Sequence, residues 1–382
     1  MSNCLEILDK LVGFNTVSHN SNVKIIDFIQ DFCGRRGASI DRVSSYSGEK
    51  VGLIARFGPN VEGGLIFSGH TDVVPTSGQS WTRPAFRLTR EKGLLYGRGT
   101  TDMKGFLACI MSLVENVATT KLVKPLTLIF SYDEEVGCIG IKEMKCELVG
   151  KLGSPAVCIV GEPTEMQIVV GHKGKTAFQA HCIGQVGHSA MAPKFVNALH
   201  VAADFVFAMQ KIQTYYSQHC AHDEKYDIPY STFHVGKLNS DTVLNIVPDH
   251  AEINFESRYL VKDGEERICS DIIREVDKIN QKYGKQLGRT AISFQKTFSY
   301  PGLEISETAS ATRIGLGLVE NKNTTKVAFG TEAGVFSELG IPTIVCGPGS
   351  MAGQGHQPDE YITIEQLSAC ERFLRKSLDL II

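Results

Sequence analysis

Four short apolar runs in this chain each stop abruptly at polar groups capable of chemistry. Leu65-Ile66-Phe67 breaks into Ser68-Gly69-His70-Thr71-Asp72. Residues 125–132 (PLTLIFSY) end at Asp133-Glu134-Glu135, and residues 155–160 (PAVCIV) at Gly161-Glu162-Pro163-Thr164. Ile341 to Val345 runs into Gly347-Pro348-Gly349-Ser350. An apolar run of this length, bounded by turn residues, reads as a buried strand. Helical spacing lies between the runs. Residues 21–33 carry Val23, Ile26, Phe28, Ile29 and Phe32, with Ser21 or Asn22 as cap and Gly34 as stop. Residues 103–117 carry Leu107, Ile110, Met111 and Val114 on one face. Strands alternating with helices predict a layered α/β domain. In open α/β sheets, ligands bind beyond the carboxyl ends of strands. Leu94-Leu95-Tyr96 reads as one more such run, followed by GRGTTDMKG and its Asp102.

The pattern changes after about Gly171. A strand of alternating exposure at 173–183, a helix at 196–213, strands at 231–238 and 251–259, a charged helix at 264–283 and a strand at 291–295 give the order β-α-β-β-α-β. That order resembles a ferredoxin-like unit. The domains expected are residues 1–172 with 299–382, and an insertion at 173–298. The last helix should begin at a Thr363-x-x-Gln366 capping box.

The formal net charge of −3, with no basic or acidic block, predicts neither nucleic acid nor a membrane surface as partner. No apolar stretch approaches the roughly 20 residues of a membrane span. The N-terminal residues do not read as a signal peptide, and the eleven cysteines are dispersed without a CxxC pair. Reduced thiols and a cytoplasmic location are the expectation.

Seven groups therefore sit at or after strand ends: His70, Asp72, Asp102, Glu134, Glu135, Glu162 and, later, His356. Imidazoles with carboxylates are the ligand chemistry of a hydrolytic metal, and of two adjacent acids one can bind metal while the other moves protons. Each group alone also fits a plainer role: a polar turn for His70 and Asp72, a helix cap for Asp102, a solvated loop for Glu134-Glu135, a turn acid for Glu162, a loop histidine for His356.

The motifs SGHTDVVP, GRGTTDMKG, DEE, GEPT, GHSA and GHQPDE, in that order, resemble the co-catalytic metallohydrolases that include acetylornithine deacetylase, succinyl-diaminopimelate desuccinylase, aminoacylase and carboxypeptidase G. The resemblance implies an α/β fold: a mixed-sheet α/β/α catalytic domain with an inserted ferredoxin-like α+β dimerisation (lid) domain. It implies two divalent metal ions, with zinc first and cobalt or manganese as alternatives. Asp102 would bridge them, His70 and Glu162 would complete one site, and Glu135 and His356 the other. Glu134 would be the general base, with Asp72 orienting His70. A cis peptide would follow Asp102. His188 would reach the active site of the partner subunit in a homodimer formed through the inserted domain, and Asn245 and Arg258 would contact substrate.

The small-molecule substrate implied is an N-acyl amino acid. Phe329-Gly330-Thr331-Glu332-Ala333-Gly334 resembles the Gly-Thr-Glu-Ala segment of acetylornithine deacetylases, which points to removal of acetyl from N2-acetyl-L-ornithine. Glu332, beside Thr331, would neutralise the substrate's amine; read alone it is a helix N-terminal acid. Lys173 or Lys175 would hold a substrate carboxylate or be solvated. The alternatives are a relative acting on other N-acyl amino acids or dipeptides, and a non-catalytic member.

Overall fold

The computed structural model describes residues 2–241 and 243–382. The chain divides into two compact units, one of Met1–Gly171, Glu304–Lys326 and Thr331–Ile382, the other of His172–Leu303 and Val327–Gly330.

A nine-stranded mixed sheet organises the first unit. At its centre Leu126–Ser131, Leu65–His70, Val157–Val160 and Thr343–Val345 run parallel to one another. Val51–Phe57 and Ser39–Ser44 extend it in antiparallel pairing. Every residue of the four central strands is buried, as parallel strands require when helices cover both faces. Leu65, Phe67, Leu128 and Phe130 join the main core with the helices Ser2–Val12, Val23–Gly34, Lys104–Val117 and Ile364–Leu378. Each such side chain, fully buried, contributes about 1.5–3 kcal/mol. The alternating Ile66 and Ile129 lie outside that cluster and turn to the opposite face, where Ile139–Lys151 and Ala333–Glu338 pack together.

Because the four strands are parallel, their carboxyl ends lie along one edge. His70, Glu134-Glu135 and Glu162 reach that edge from distant parts of the sequence. Gly161, the last residue before Glu162, has no room for a side chain, since a Cβ there would lie 2.0 Å from the Phe106 ring.

Several elements differ from the sequence reading. Leu94–Tyr96 is not in the main sheet but between Thr89–Glu91 and Tyr361–Thr363 in a three-stranded side sheet. Lys92 (φ 51°) and Gly93 (φ 83°) make the two-residue turn that folds it back onto Thr89–Glu91, the geometry of tight hairpins. Asn22 is the N-cap residue of its helix, but its side chain makes no cap hydrogen bond; the amide instead exchanges two hydrogen bonds with the backbone of Val51 (2.8 and 2.9 Å). Gly34 lies inside that helix rather than beyond it. The helices Ser2–Val12 and Ile139–Lys151 and the strands Ser39–Ser44 and Ile168–His172 have no counterpart in the sequence reading. The capping box at Thr363 and Gln366 is present.

The second unit is a four-stranded antiparallel sheet in the order Thr232–Asn239, His250–Tyr259, Gly174–Ile183, Ile292–Tyr300. Helices Ala198–His219 and Glu265–Leu287 pack against one face. Chain order β-α-β-β-α-β with the first strand between the third and fourth is the ferredoxin-like arrangement. Phe178, Phe205 and Phe255 centre its core, with Phe178 stacked on Phe255 at 4.9 Å. Buried Tyr216 carries the first helix past the expected end at residue 213, its hydroxyl donating to Asp271 (2.7 Å). The last strand continues to Tyr300, paired along its length with Gly174–Ile183, so this unit extends beyond the segment 173–298.

Candidate metal centre

The strand Leu65–His70 ends with the His70 ring almost fully buried. Its Nδ1 lies 3.0 Å from the Asp72 backbone carbonyl. A carbonyl only accepts, so Nδ1 carries the proton and Nε2 faces inward. There Nε2 lies 3.0 Å from Asp102 Oδ1 and 3.8 Å from Glu162 Oε1. The other oxygen of Asp102 lies 3.1 Å from His356 Nε2, which is also 3.1 Å from Glu135 Oε2. One carboxylate thus stands between two imidazoles with one oxygen toward each. The Asp102–Met103 peptide is cis, as the resemblance implied.

Asp72 is buried behind these groups and organises them. It accepts from the Ser18 hydroxyl (2.7 Å) and from the backbone N–H groups of Glu134 (3.1 Å) and Glu135 (3.3 Å). Its other contact is His70 Nδ1, at 3.4 Å. One acid therefore ties the end of Leu65–His70 to the loop after Leu126–Ser131.

Burial and mutual repulsion set the charge balance. Removal from water pushes Glu134 and Glu162 well above the ordinary carboxyl range, and neighbouring acids add to it. The same causes move Glu135 up to about 7, with His356 opposing. Asp102 goes the other way: burial would raise it, but His356 and His70 outweigh that. Burial would lower His70, yet Asp102 and Asp72 hold it high, and Asp102 and Glu135 do the same for His356, at about 10.

These residues fit a cation. Glu162 Oε1 is buried without a hydrogen-bond partner, and an orphaned carboxylate oxygen in the interior costs several kcal/mol unless a positive group meets it. One ligand atom each from His70, Asp102 and Glu135, and likewise from His70, Glu134 and Glu162, lie within 4.8 Å of one another. Imidazole and carboxylate together are donors for zinc and its neighbours.

Three further groups around this edge escaped the sequence reading. Glu360 (1% exposed) accepts from the backbone N–H of Thr101 (2.9 Å) and Asp102 (3.1 Å) and ion-pairs with the fully buried Arg98 (2.6 Å). Opposite charges inside GRGTTDMKG and GHQPDE were the available signal. Cys138, in left-handed backbone (φ 53°), donates its thiol to Glu134 Oε1 (3.3 Å), and no sequence pattern marks it.

The substrate residues expected in this unit are placed otherwise. Glu332 is fully buried, accepting from the hydroxyls of Ser131 and Ser68. Buried Thr331 accepts from the N–H of Ala333 (3.1 Å) at the start of a helix. Neither presents a free side chain to a substrate amine, so the expected charge neutralisation is corrected to an interior role. In the second unit, Lys173 is buried and donates to the carbonyls of Ile228 (2.9 Å) and Tyr230 (2.6 Å), while burial lowers it to about 8. Its ammonium is committed to backbone rather than to a carboxylate ligand. Lys175 pairs with Glu256 (2.8 Å). Half-buried Arg258 donates to Glu256 (3.1 Å) and Tyr300 (3.3 Å). His188 and Asn245 are exposed side by side: Gly187–His188 pairs with Ile246–Val247, and Ser189 N–H donates to the Asn245 carbonyl (3.0 Å).

Comparison with known proteins agrees with this geometry. The model of peptidase family M20/M25/M40 matches residues 66–379. Acetylornithine deacetylase of Buchnera aphidicola is 28% identical, over 94% of this chain and 92% of that protein. The enzyme of the same description from Aliivibrio fischeri is 30% identical, over 93% and 90%. An M20 family metallo-carboxypeptidase from Sulfolobus solfataricus superposes with a TM-score of 0.83 at 18% identity, covering 100% of this chain and 99% of that one. A dinuclear metal binding peptidase of Bacillus subtilis superposes at 0.67 and 14% identity, covering 100% and 98%.

Proposed function

We propose, since the chain belongs to peptidase family M20/M25/M40, that this hydrolase removes the acetyl group from N2-acetyl-L-ornithine, giving L-ornithine and acetate. The observation carrying the reaction is the Asp102 carboxylate between His70 and His356, at 3.0 and 3.1 Å, with a Glu134 carboxylate oxygen within 4.8 Å of a His70 ring nitrogen. The near full-length likeness to acetylornithine deacetylases supports the substrate.

In this reading His70, Asp102 and Glu162 would hold one divalent ion, and Asp102, Glu135 and His356 a second. Such ions supply Lewis acidity toward a carbonyl and make a water more acidic near neutral pH; zinc is the first to test. Glu134, its proton affinity raised by burial and by neighbouring acids, takes a proton from the attacking water and returns it to the departing amine. Asp72 fixes the His70 tautomer and carries the backbone of Glu134. His188 and Asn245, exposed together, would serve the second subunit of a homodimer.

Glu134→Gln tests the assignment of the base. Turnover should fall about 10²–10⁴-fold, with bound metal unchanged by elemental analysis. Full turnover in that variant would remove Glu134 from the mechanism. A panel of N2-acetyl-L-ornithine, N-acetyl-L-methionine, N-succinyl-diaminopimelate and dipeptides, with a chelated control, tests the substrate. Because Glu332 and Lys173 are committed internally, a second reading is hydrolysis of another N-acyl amino acid or a dipeptide. A higher kcat/KM on one of those would favour it.

A further inference from the structure

A second group of metal-ligating side chains lies in the other unit, on the four-stranded sheet. The strands Gly174–Ile183 and His250–Tyr259 pair antiparallel with Glu252 directly opposite His181. His250 precedes Glu252 by two residues and so shares its face. Phe178, Ala180 and Cys182 alternate inward to the helices, which leaves His181, His250 and Glu252 on the open face. The two imidazoles stack at 5.8 Å between ring centroids, inclined by 27°. One ligand atom from each of the three lies within 4.8 Å of the others.

We propose that His181, His250 and Glu252 bind one divalent transition-metal ion of the zinc class, separately from the Asp102 centre. Two neutral imidazoles and a carboxylate suit zinc, cobalt or nickel, and not calcium or magnesium, which prefer all-oxygen shells. Ligand distances of about 2.0–2.2 Å in a tetrahedron place donor atoms roughly 3.3–3.6 Å apart. The three side chains therefore need to close by little more than 1 Å. His181 and Glu252 are half-buried and His250 is exposed, so rotation about their side-chain torsions supplies that. The Gln179 amide donates to Glu252 Oε1 (2.8 Å), which aims the carboxylate and leaves Oε2 for the ion. Hydrogen bonds of this kind commonly steer metal ligands. Three protein donors leave a position open to water, so the ion should exchange readily and link two neighbouring strands while bound.

The test counts zinc per chain, by elemental analysis, on full-length holoprotein equilibrated in buffers of stepped free zinc. Wild type should hold one more zinc than His181→Ala or His250→Ala. At the free zinc that half-fills the wild-type site, the variants should require at least tenfold more. Failure of the Asp102 reading would lower all three counts together and leave the difference intact. In unmodified protein, the imidazole ¹⁵N resonances of His181 and His250 should shift together on zinc addition. Equal zinc counts at every level, or unshifted resonances, would overturn the proposal, the latter without relying on any variant.

Discussion

Glu332→Gln separates two meanings of one residue. The Glu332 carboxyl is fully buried, and its value is raised from 4.5 to about 7 by burial, with the Ser131 hydroxyl, His70 and Ser68 opposing. A carboxyl whose folded value exceeds its unfolded one favours folding while it stays protonated. That advantage is fully present below about 4.5 and is lost as pH rises toward about 7. A displacement of about 2.5 units corresponds to roughly 3.4 kcal/mol at 1.36 kcal/mol per unit. Roughly 2.5 kcal/mol of it develops between pH 5 and pH 8. Glutamine keeps the shape and cannot ionise, so Glu332→Gln should gain on wild type over that interval. For a unit of roughly 250 residues, about 2 °C per kcal/mol gives a relative gain of roughly 5 °C. The assay is thermal unfolding of both proteins, chelated, from pH 5 to pH 8. A difference in midpoint that does not change with pH would refute the argument. KM for N2-acetyl-L-ornithine, measured on metal-loaded protein, decides the other meaning. An interior Glu332 predicts little change in KM, whereas a tenfold or larger rise would show that it senses the substrate cation.

Asp72→Asn removes the charge that gathers His70 and the backbone of Glu134 and Glu135. Metal affinity should fall by about 10–100-fold, read by competition with a chelating dye; unchanged affinity would limit Asp72 to a folding role. Glu360→Gln leaves the Arg98 guanidinium, fully buried, without its carboxylate. Losing one partner of a buried pair costs about 3–5 kcal/mol, so denaturant unfolding should shift by that amount, and an unshifted midpoint would show that Arg98 finds another partner. Chelation should abolish hydrolysis of every substrate in the panel, with recovery on adding zinc; activity that survives chelation would speak against metal dependence.

For the four central strands, burial and the point where each stops were legible in local pattern, whereas the equally buried Ile168–His172 was not. PLTLIFSY and PAVCIV have no charged position along their length and no regular alternation of polar and apolar residues, so both faces had to be covered, and the acids that end them had to lie at the sheet's edge. The ferredoxin-like order of the insertion was legible for the same reason, since alternation and helical spacing are local. Leu94–Tyr96 shows where local pattern stops being enough. Three apolar residues fit a central strand or a side hairpin equally well, and the turn at Lys92-Gly93 chose the hairpin. Which way polar groups face was settled by how distant strands come together. Glu332 occupies a motif that reads as substrate-binding, yet Ser68 and Ser131 from two different strands draw it into the interior. Glu360 comes to hold Asp102 through a side sheet that joins the chain's end to its first third. His181, His250 and Glu252 carry no spacing signal, because the register between two strands, and not distance along the chain, brings their side chains together. Hydrophobic pattern is written residue by residue, whereas the partner of a buried or ligating group is fixed by which strands pair and in what register.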